Sequence, residues 1–291
     1  MHKERDLQRI CKDISSLIES ELNRIGAFYR IFSRVKSYDS VQSKIGKKGL
    51  GYYDGINKFI RDTIGIRVIL YFPDDLSLLY NYLKSRFVFI EETVDELSET
   101  QFAPSRRNLI FKIPQNLINE FQVAVNDRNL DATFELQLRT ILAEGWHEID
   151  HDLRYKCTDD WNESSDLARN FNGVLASLET SEYAILRIFE QISHRHYKQE
   201  NIAAMLRTKF RIRFASYNMS DAIKSYVNKD LIREIYKIDR ILFLQTLLER
   251  NIHIPLTIDN IIFSLNTLFI KNENLINNTP THLTKQLTYE P

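Results

Sequence analysis

Two acidic residues lie where the sequence predicts the ends of buried strands, and both have cationic residues near them in the chain. Asp62 follows Arg61 and precedes the apolar run from Gly65 to Phe72, which Arg67 interrupts. Glu135 lies in the alternating segment "DATFELQLRT". Two such carboxylates can hold a divalent cation, and Arg or Lys can neutralise phosphate oxygens, because phosphoryl transfer depends mostly on positioning and charge stabilisation. The same residues would also suit the surface of a sheet with ordinary salt bridges.

Alternation in the segment around Glu135 predicts a strand with one polar face. Its apolar residues point one way, whereas Glu135, Gln137 and Arg139 point the other way. Three polar residues in a row on one strand face are costly beside a buried face unless they line a cleft. The sequence therefore predicts a cleft on this face, with a helix after the strand.

The composition is that of an ordinary globular protein. The 291 residues are 43% hydrophobic and 27% charged, with 39 Lys and Arg against 39 Asp and Glu. Because the net charge is zero, an anionic partner must be met by a local patch. Cys11 and Cys157 have no metal-ligand spacing, which favours a reducing compartment. Without a signal-peptide pattern or an apolar window of roughly 18 residues, the expectation is a cytoplasmic protein with no membrane partner.

The elements predicted for the first half of the chain are those of a mixed sheet flanked by helices. Apolar residues at helical spacing predict a helix over 3–30, and the Lys-, Arg- and Gly-rich residues 31–61 predict a loop or short helices. A strand from Gly65 to Phe72 leads into a helix from Pro73 to about Phe87. Further strands are expected at 87–91, 109–113, 121–125 and 131–140, with a hairpin from 121 to 139.

The second half predicts helices, over residues 141–156, 165–194, 199–213, 220–250 and 257–271, followed by a polar, frayed end. The expected fold class is α/β (α+β), a mixed β-sheet core with flanking helices and a helical C-terminal region. We expect three segments: an N-terminal helix at 1–30, the core at 31–157 and the helical region at 158–291.

Two motifs in this order resemble the synthetase domain of the RelA/SpoT family of alarmone synthetases. The first reads Asp62-x-x-Gly65-x-Arg67 before a strand, with Asp74-Asp75 opening the next helix. A second motif and an upstream basic segment also match, at Glu135, Gln137, Arg139, Thr140, Trp146, His151, Tyr155 and Lys156, and at Arg34, Lys36, Ser40 and Lys44. The resemblance covers residues 30–157 and implies a nucleotidyltransferase-like mixed sheet.

The resemblance implies an enzyme that moves the β,γ-pyrophosphate of ATP to a ribose 3′-hydroxyl and releases AMP. Asp62 would hold Mg²⁺, and Glu135 would share the metal or accept the hydroxyl proton. ATP would be bound by Arg34, Lys36, Ser40, Lys44 and Arg67. The acceptor or the phosphates would be organised by Gln137, Arg139, His151 and Lys156.

The match fails in the segment that holds the acceptor in family members using guanosine nucleotides. There a Gly-Tyr-Arg-Ser-x-His segment places a tyrosine on the acceptor base, whereas this chain has "FAPSRRNLIFKIP". Pro104 falls at the tyrosine and Asn108 at the histidine. The acceptor is then a guanosine nucleotide held in another way, or the 3′ end of tRNA as in toxin-like family members, with Arg106 and Arg107 as contacts. The alternative is a fold that has lost activity and serves as a nucleotide-sensing or partner-binding module.

A basic stretch in the C-terminal region suggests a possible RNA surface. Arg207, Lys209, Arg211 and Arg213 alternate with apolar and aromatic residues, which suits RNA binding but also a solvated helix face. The C-terminal helices would suit a homo-oligomer or an antitoxin-like partner protein.

Overall fold

Five strands of the described residues form one mixed sheet in this structure, a computed structural model that describes residues 2–49, 52–53, 55, 58–94, 107–125 and 129–288. The strands are β1 (Tyr29–Val35), β2 (Ile64–Leu70), β3 (Phe89–Val94), β4 (Arg107–Lys112) and β5 (Thr133–Thr140). Their order across the sheet is β1-β2-β5-β4-β3. The central pair β2 and β5 is parallel and the other neighbours are antiparallel, so the predicted mixed sheet is confirmed.

Helices make up most of the remaining described chain. In the first half they are α1 (His2–Arg24), α2 (Tyr38–Lys48), α3 (Asp74–Arg86), α4 (Gln115–Val125) and α5 (Ile141–Asp150), which continues as one π-helical turn, His151–Tyr155. The later helices are α6 (Ser165–Lys198), α7 (Ile202–Phe210), α8 (Asp221–Lys224), α9 (Lys229–Lys237), α10 (Arg240–Glu249), α11 (Ile258–Leu265), α12 (Glu273–Asn277) and α13 (Thr281–Thr288). Each helix in the described part of the chain is too short or too polar to cross a membrane.

The described residues fall into two compact units. The first unit draws on Met1–Glu19, Tyr29–Tyr71 and Leu79–Thr180 and contains the whole sheet. The second unit draws on Ser20–Phe28, Phe72–Leu78 and Ser181–Pro291. The α1 and α3 segments therefore contribute residues to both units.

Aromatic packing fixes the buried side of the sheet in the first unit. The rings of Phe111 on β4 and Phe134 on β5 stack with centroids 5.5 Å apart, and Phe87 meets Phe134 edge-on at 5.4 Å. In the same unit, Trp146 of α5 stacks on Phe171 of α6 at 4.7 Å and donates its indole N–H to the Phe171 carbonyl. Because these rings occupy one face of β4 and β5, the alternate residues of the same strands must face the other way.

Strand β1 corrects the start of the segment 31–61, for which a loop or short helices were predicted, whereas α2 is a short helix within that segment, as predicted. Strand β1 is an edge strand that, among the described strands, pairs with β2 alone, and four of its seven residues are exposed. Tyr29 is buried, whereas Arg30, Phe32 and Arg34 are exposed. Because so few of its residues are buried, β1 has the composition of a basic loop, and the hydrophobic pattern of the sequence did not indicate a strand.

Residues 121–125 belong to helix α4, so the predicted strand and the hairpin from 121 to 139 are wrong. Leu117, Phe121 and Ala124 are buried at spacings of four and three, which is the helical period. The strand prediction rested on five residues, and so short an apolar run does not distinguish the two periods.

Residues up to 288 near the C-terminus are packed in helices α12 and α13 rather than frayed. Leu275, Leu283 and Leu287 are almost fully buried in the second unit. Three leucines spread over a polar segment are a weak signal in the sequence, yet each provides a buried anchor for its helix.

Candidate active site

A cleft of about 460 Å³ lies on the polar face of the sheet in the first unit. Its floor is built by alternate residues of neighbouring strands. Gly65 of β2 lies beside Glu135 of β5, and Arg67 lies beside Gln137 in the next row. Asn108 of β4 is paired with Gln137 from the other side. The predicted cleft along Glu135, Gln137 and Arg139 is therefore present, because parallel pairing of β2 and β5 aligns their polar residues.

Two lysines converge on Asp62 just before β2. The Nζ atoms of Lys36 and Lys44 lie 2.6 Å and 2.9 Å from Asp62 Oδ2. Lys36 follows β1 and donates its backbone N–H to the Thr63 carbonyl, whereas Lys44 lies on α2. Burial alone would raise the pKa of Asp62, but the two lysine hydrogen bonds and charges outweigh it and lower the pKa. The carboxylate is therefore ionised and surrounded by two positive charges.

The surroundings of Glu135 shift its pKa in the opposite direction to that of Asp62. Burial raises its pKa, repulsion by the Asp62 carboxylate raises it further, and a hydrogen bond from Gln137 with the charges of Arg34 and Lys44 only partly offsets this. Asp62 and Glu135 repel each other, and a bound cation would reduce that repulsion. A carboxylate with a raised pKa is also a better proton acceptor near neutral pH.

The two acidic residues fit a magnesium ion of the kind that is completed by substrate phosphates. Asp62 Oδ1 is buried and makes no hydrogen bond to any described residue, so one carboxylate oxygen lacks a partner. No group of three or more His, Cys, Asp or Glu side chains suited to a metal occurs within the described ranges. Mg²⁺ commonly binds through one or two carboxylates, with phosphates and water as its other ligands. A two-carboxylate site therefore agrees with the expected cofactor.

Helix α5 holds the arginines of the cleft floor. Arg67 donates to Gln137 Oε1 at 3.0 Å and to Glu144 Oε1 at 2.6 Å, and it is also paired with Glu148. Arg139 contacts the second oxygen of Glu144 at 2.8 Å. The acidic residues of α5 thus fix both guanidinium groups over the sheet and neutralise part of their charge.

The rim of the cleft is formed by the π-helical turn after α5. His151 Nδ1 and Lys156 Nζ both contact Asp152 Oδ1, at 2.9 Å and 2.7 Å, and all three side chains are well exposed. The rings of His151 and Tyr155 stack with centroids 5.9 Å apart. The structure thus brings His151 and Lys156 together with Gln137 and Arg139 around one cleft, as the motif implied.

The other predicted site residues lie in different settings. Arg34 lines the cleft, whereas Ser40 is exposed on α2, where its backbone N–H is capped by Ser37. Pro104 and Arg106 fall outside the described residues. The backbone of Arg107 belongs to β4, but its side chain is not described.

The basic stretch of the second unit is not one continuous surface, and Arg211 is removed from the predicted RNA contacts. Arg211 is 7% exposed and is paired with Asp74, because α7 ends at Phe210 and the chain turns inward. Lys209 is partly buried, which lowers its pKa, and Arg213 lies over the Phe28 ring. Arg207 alone of the four lines an open groove, of about 470 Å³.

Several residues in and around the cleft were not predicted, among them Phe32 and Glu148 of its lining and Glu144, whose carboxylate pairs with Arg67 and Arg139. Phe32 lies on the unpredicted edge strand, so no signal marked it. Glu144 and Glu148 are one helical turn apart on α5 and therefore share a face of the helix. With two arginines, Arg67 and Arg139, on the polar sides of the neighbouring strands β2 and β5, that spacing could have suggested an ion-pair network.

A comparison of the sequence with family models decides the identity of this region. Residues 33–160 match the model described as a region found in RelA / SpoT proteins. This part of the chain belongs to the RelA/SpoT family. The resemblance predicted from the motifs is thereby confirmed, and the RelA/SpoT region contains each cleft residue described above except Phe32, which directly precedes it.

Individual relatives of the RelA/SpoT region are distant. The GTP pyrophosphokinase YwaC of Bacillus subtilis is 29% identical over 151 residues, which cover 50% of this chain and 68% of that protein. The crystal structure of small alarmone synthetase 1 from Bacillus subtilis has a TM-score of 0.49 and 15% identity, covering 65% of this chain and 95% of that one. A GTP pyrophosphokinase family protein from Streptococcus pneumoniae has a TM-score of 0.49 and 18% identity, covering 64% and 90%.

Proposed function

We propose that this protein is an ATP-dependent pyrophosphokinase that transfers the β,γ-pyrophosphate of ATP to the ribose 3′-hydroxyl of a guanosine nucleotide. One observation carries the proposal: Lys36 and Lys44 converge on Asp62, and the charge of Asp62, with burial, raises the pKa of Glu135. Cations for phosphate oxygens, a carboxylate for a metal and a proton acceptor are the parts that such a transfer needs. The family and the name of the relative YwaC support the same activity.

In the proposed transfer, each bond that forms is matched by one that breaks, and the proton has an acceptor. The acceptor oxygen bonds to the β-phosphorus, and the bond between that phosphorus and the oxygen bridging to the α-phosphorus breaks, so AMP leaves. The proton of the hydroxyl passes to Glu135. Magnesium, held by Asp62 with Glu135 beside it, would neutralise charge on the transferred phosphates.

The lysines have a second task in this proposal. Each is bound to Asp62, and their side chains are 25% and 35% exposed, so little reorganisation is needed to turn them to phosphate. An incoming triphosphate would take the lysines and leave the Asp62 carboxylate to the metal. Arg34 at the cleft wall adds a further cation for the same nucleotide.

The acceptor rests on support that is independent of the donor side. A guanosine acceptor is favoured by the name of the relative YwaC, a GTP pyrophosphokinase. Asn108 lines the cleft at the strand position where guanosine-using members carry histidine, and its amide can both donate and accept hydrogen bonds. Gln137, Arg139, His151 and Lys156 surround the same part of the cleft and would position the acceptor and its phosphates.

Transfer of label from ATP tests the proposal. The purified protein is incubated with γ-³²P-ATP and Mg²⁺, together with GDP, GTP, bulk tRNA or no acceptor. Label on GDP or GTP supports the proposal, and label on tRNA retains the pyrophosphokinase but replaces its acceptor. No transfer to any of these by the wild-type protein overturns it in favour of a binding module without activity.

Two variants tie the activity to the site. Glu135→Gln and Asp62→Asn should each lower transfer by roughly 10²- to 10⁴-fold, the range for removal of a general base or a charge-positioning group. Asp221→Asn is the matched control, because Asp221 is an exposed carboxylate paired only with Lys224 among the described side chains. Equal activity of Glu135→Gln and Asp221→Asn would remove Glu135 from the chemistry.

A further inference from the structure

The π-helical turn His151–Tyr155 brings the side chains of His151 and Lys156 to the same side of the chain. Five residues of an α-helix rotate by about 500°, so two residues five apart point about 140° away from each other. In the π turn, the Lys156 backbone N–H instead donates to the His151 carbonyl at 3.2 Å, which closes one turn over five residues. Both side chains therefore contact the same carboxylate oxygen of Asp152. Such turns are rare and occur frequently at functional sites.

Arg154 anchors this turn to the rest of the first unit. Its side chain is 20% exposed, whereas the other four residues of the turn are exposed. Its guanidinium donates to Asp150 Oδ1 at 2.6 Å and to Asn172 Oδ1 at 2.7 Å. Asp150 ends α5 and Asn172 lies on α6, so the rigid fork of one arginine connects the turn to two helices.

Aromatic rings surround the same guanidinium. Its Cζ atom lies 5.1 Å from the ring centroid of Phe171, 5.4 Å from that of Trp146 and 6.0 Å from that of Trp161. A cation at such distances from a ring face is attracted to it. Trp161 also donates its indole N–H to the Leu153 carbonyl at 2.9 Å, which holds the backbone of the turn. Arg154 does not line the cleft, so any effect on a substrate must pass through its neighbours.

We infer that Arg154 is a positioning residue, which holds the π turn in the geometry that presents His151 and Lys156 to the acceptor. The inference rests on the proposed function, because it takes these two residues as acceptor contacts. Their side chains are well exposed, so the turn that carries them, rather than packing around them, determines where they point. Arginine suits this task better than lysine, because a single ammonium group lacks the planar fork that holds several acceptors at once.

A double-mutant cycle tests the positioning role, with kcat/KM for the acceptor that the wild-type protein labels as its measure. Arg154→Met keeps an apolar side chain among the rings but removes the guanidinium, and it should lower kcat/KM roughly tenfold to a hundredfold. Lys156→Ala should lower kcat/KM about tenfold in the wild-type background. In the Arg154→Met background the same change should cost less than about threefold, because a misplaced lysine contributes little.

The donor side of the cleft provides an internal comparison. The affinity for α,β-methylene ATP, in which the bond to be broken is replaced, should be the same in Arg154→Met as in the wild type. The residues proposed to hold its phosphates, Lys36 and Lys44, are fixed by Asp62 and not by the π turn. Calorimetry measures this affinity without turnover.

A second variant covers the case in which Arg154→Met does not fold. Arg154→Lys retains a cation for the buried Asp150 carboxylate but loses the fork, so kcat/KM should fall and the effect of Lys156→Ala should again shrink. Thermal unfolding shows which variants are folded at the assay temperature. Arg233→Met is the matched control, because Arg233 is an exposed arginine with ion pairs on α9, and kcat/KM should not change.

The outcomes separate this inference from the proposed function. Additive losses in the cycle, or no loss in Lys156→Ala alone, overturn the positioning role, because Arg154 would then not act through Lys156. Equal losses of kcat/KM and of analogue affinity, or unfolding of both Arg154 variants, also overturn it, since Arg154 would then stabilise the whole unit. Each of these results leaves the proposed function standing if the wild type transfers label. Absence of transfer by the wild type overturns the proposed function and the positioning role with it.

Discussion

Acidic residues flank both ends of β2, and the two groups differ in the cations that they meet. In the first unit, Asp62 meets Lys36 and Lys44, and all three side chains are between 25% and 35% exposed. In the second unit, Asp74 and Asp75 meet Arg211 and Arg240, and both arginine side chains are less than 10% exposed. We call the first the open group, because its side chains are partly exposed, and the second the closed group, because its arginines are buried.

The difference indicates what each group does. Lysine is a strongly hydrated point charge on a flexible stem, so Lys36 and Lys44 can exchange a carboxylate for a phosphate. Arginine has a rigid, planar fork that holds several acceptors at once, and Arg240 contacts Asp75 at 2.7 Å, Asp74 at 3.0 Å and the Phe210 carbonyl at 2.6 Å. We conclude that the buried group stabilises the second unit and that the open group is available to a ligand.

The largest effect expected from this comparison is on stability, in Arg240→Ala. Removing the guanidinium leaves the buried Asp75 carboxylate without its partner and the 25% exposed Asp74 with less compensation, which should lower the free energy of unfolding by about 3–5 kcal/mol. Urea unfolding followed by circular dichroism would measure it. Arg233→Ala is the matched control, because Arg233 is an exposed arginine on α9 paired with Asp230 and Glu234 and should cost less than about 1 kcal/mol. Similar losses in both variants would contradict a structural role of the buried group.

Lys44→Ala should change stability little and weaken nucleotide binding instead, and this effect is smaller than the loss of stability in Arg240→Ala. Its pair with Asp62 is partly exposed and adds little stability, but loss of one charged contact to phosphate should weaken binding of α,β-methylene ATP about tenfold, or about 1.4 kcal/mol. Calorimetry measures the affinity and thermal unfolding the stability. Lys224→Ala, at an exposed pair with Asp221, serves as control. A large loss of Tm with unchanged affinity would make the open group structural as well.

The parts that the sequence predicted correctly are those determined by neighbours in the chain. The alternation of β5 placed Glu135, Gln137 and Arg139 on one face because a strand repeats every two residues. The apolar run of β2 and the Pro-Asp-Asp start of α3 were equally local signals. Asp62 was marked by a motif whose spacing is local too.

The parts that it could not predict depend on partners far along the chain. Arg211 was expected on an RNA surface, but its partner Asp74 is 137 residues away, and no periodicity shows such a pairing. Likewise, Arg67 was expected to face ATP, whereas Glu144 holds its guanidinium from 77 residues away. The edge strand β1 was not predicted, because most of its residues are exposed and give no alternating apolar pattern. Its residue Phe32 was therefore not predicted as part of the cleft either.

The smallest effect expected is a gain in stability in Glu135→Gln, although the proposed chemistry needs the Glu135 carboxylate. The pKa of Glu135 is raised in the folded state by burial and by Asp62. A raised pKa means that the folded state is favoured while Glu135 is protonated, and that this contribution is lost as pH rises through the folded-state value. Glu135→Gln removes the charge, so without Mg²⁺ the variant should be more stable than the wild type at pH 8, by about 2 °C in Tm.

The pH dependence of that gain distinguishes electrostatic repulsion from better packing. At pH values below the ordinary glutamate range, Glu135 is protonated in both folded and unfolded chains, so wild type and Glu135→Gln should unfold at the same temperature. Thermal unfolding of both proteins between about pH 3 and about pH 8, in the presence of a chelator, measures the difference. A gain of equal size at every pH would mean that the amide merely packs better. A loss of stability at pH 8 would mean that the lysines and Arg34 more than neutralise the carboxylate, and Glu135 would then resemble the closed group of the second unit rather than a strained residue held for catalysis.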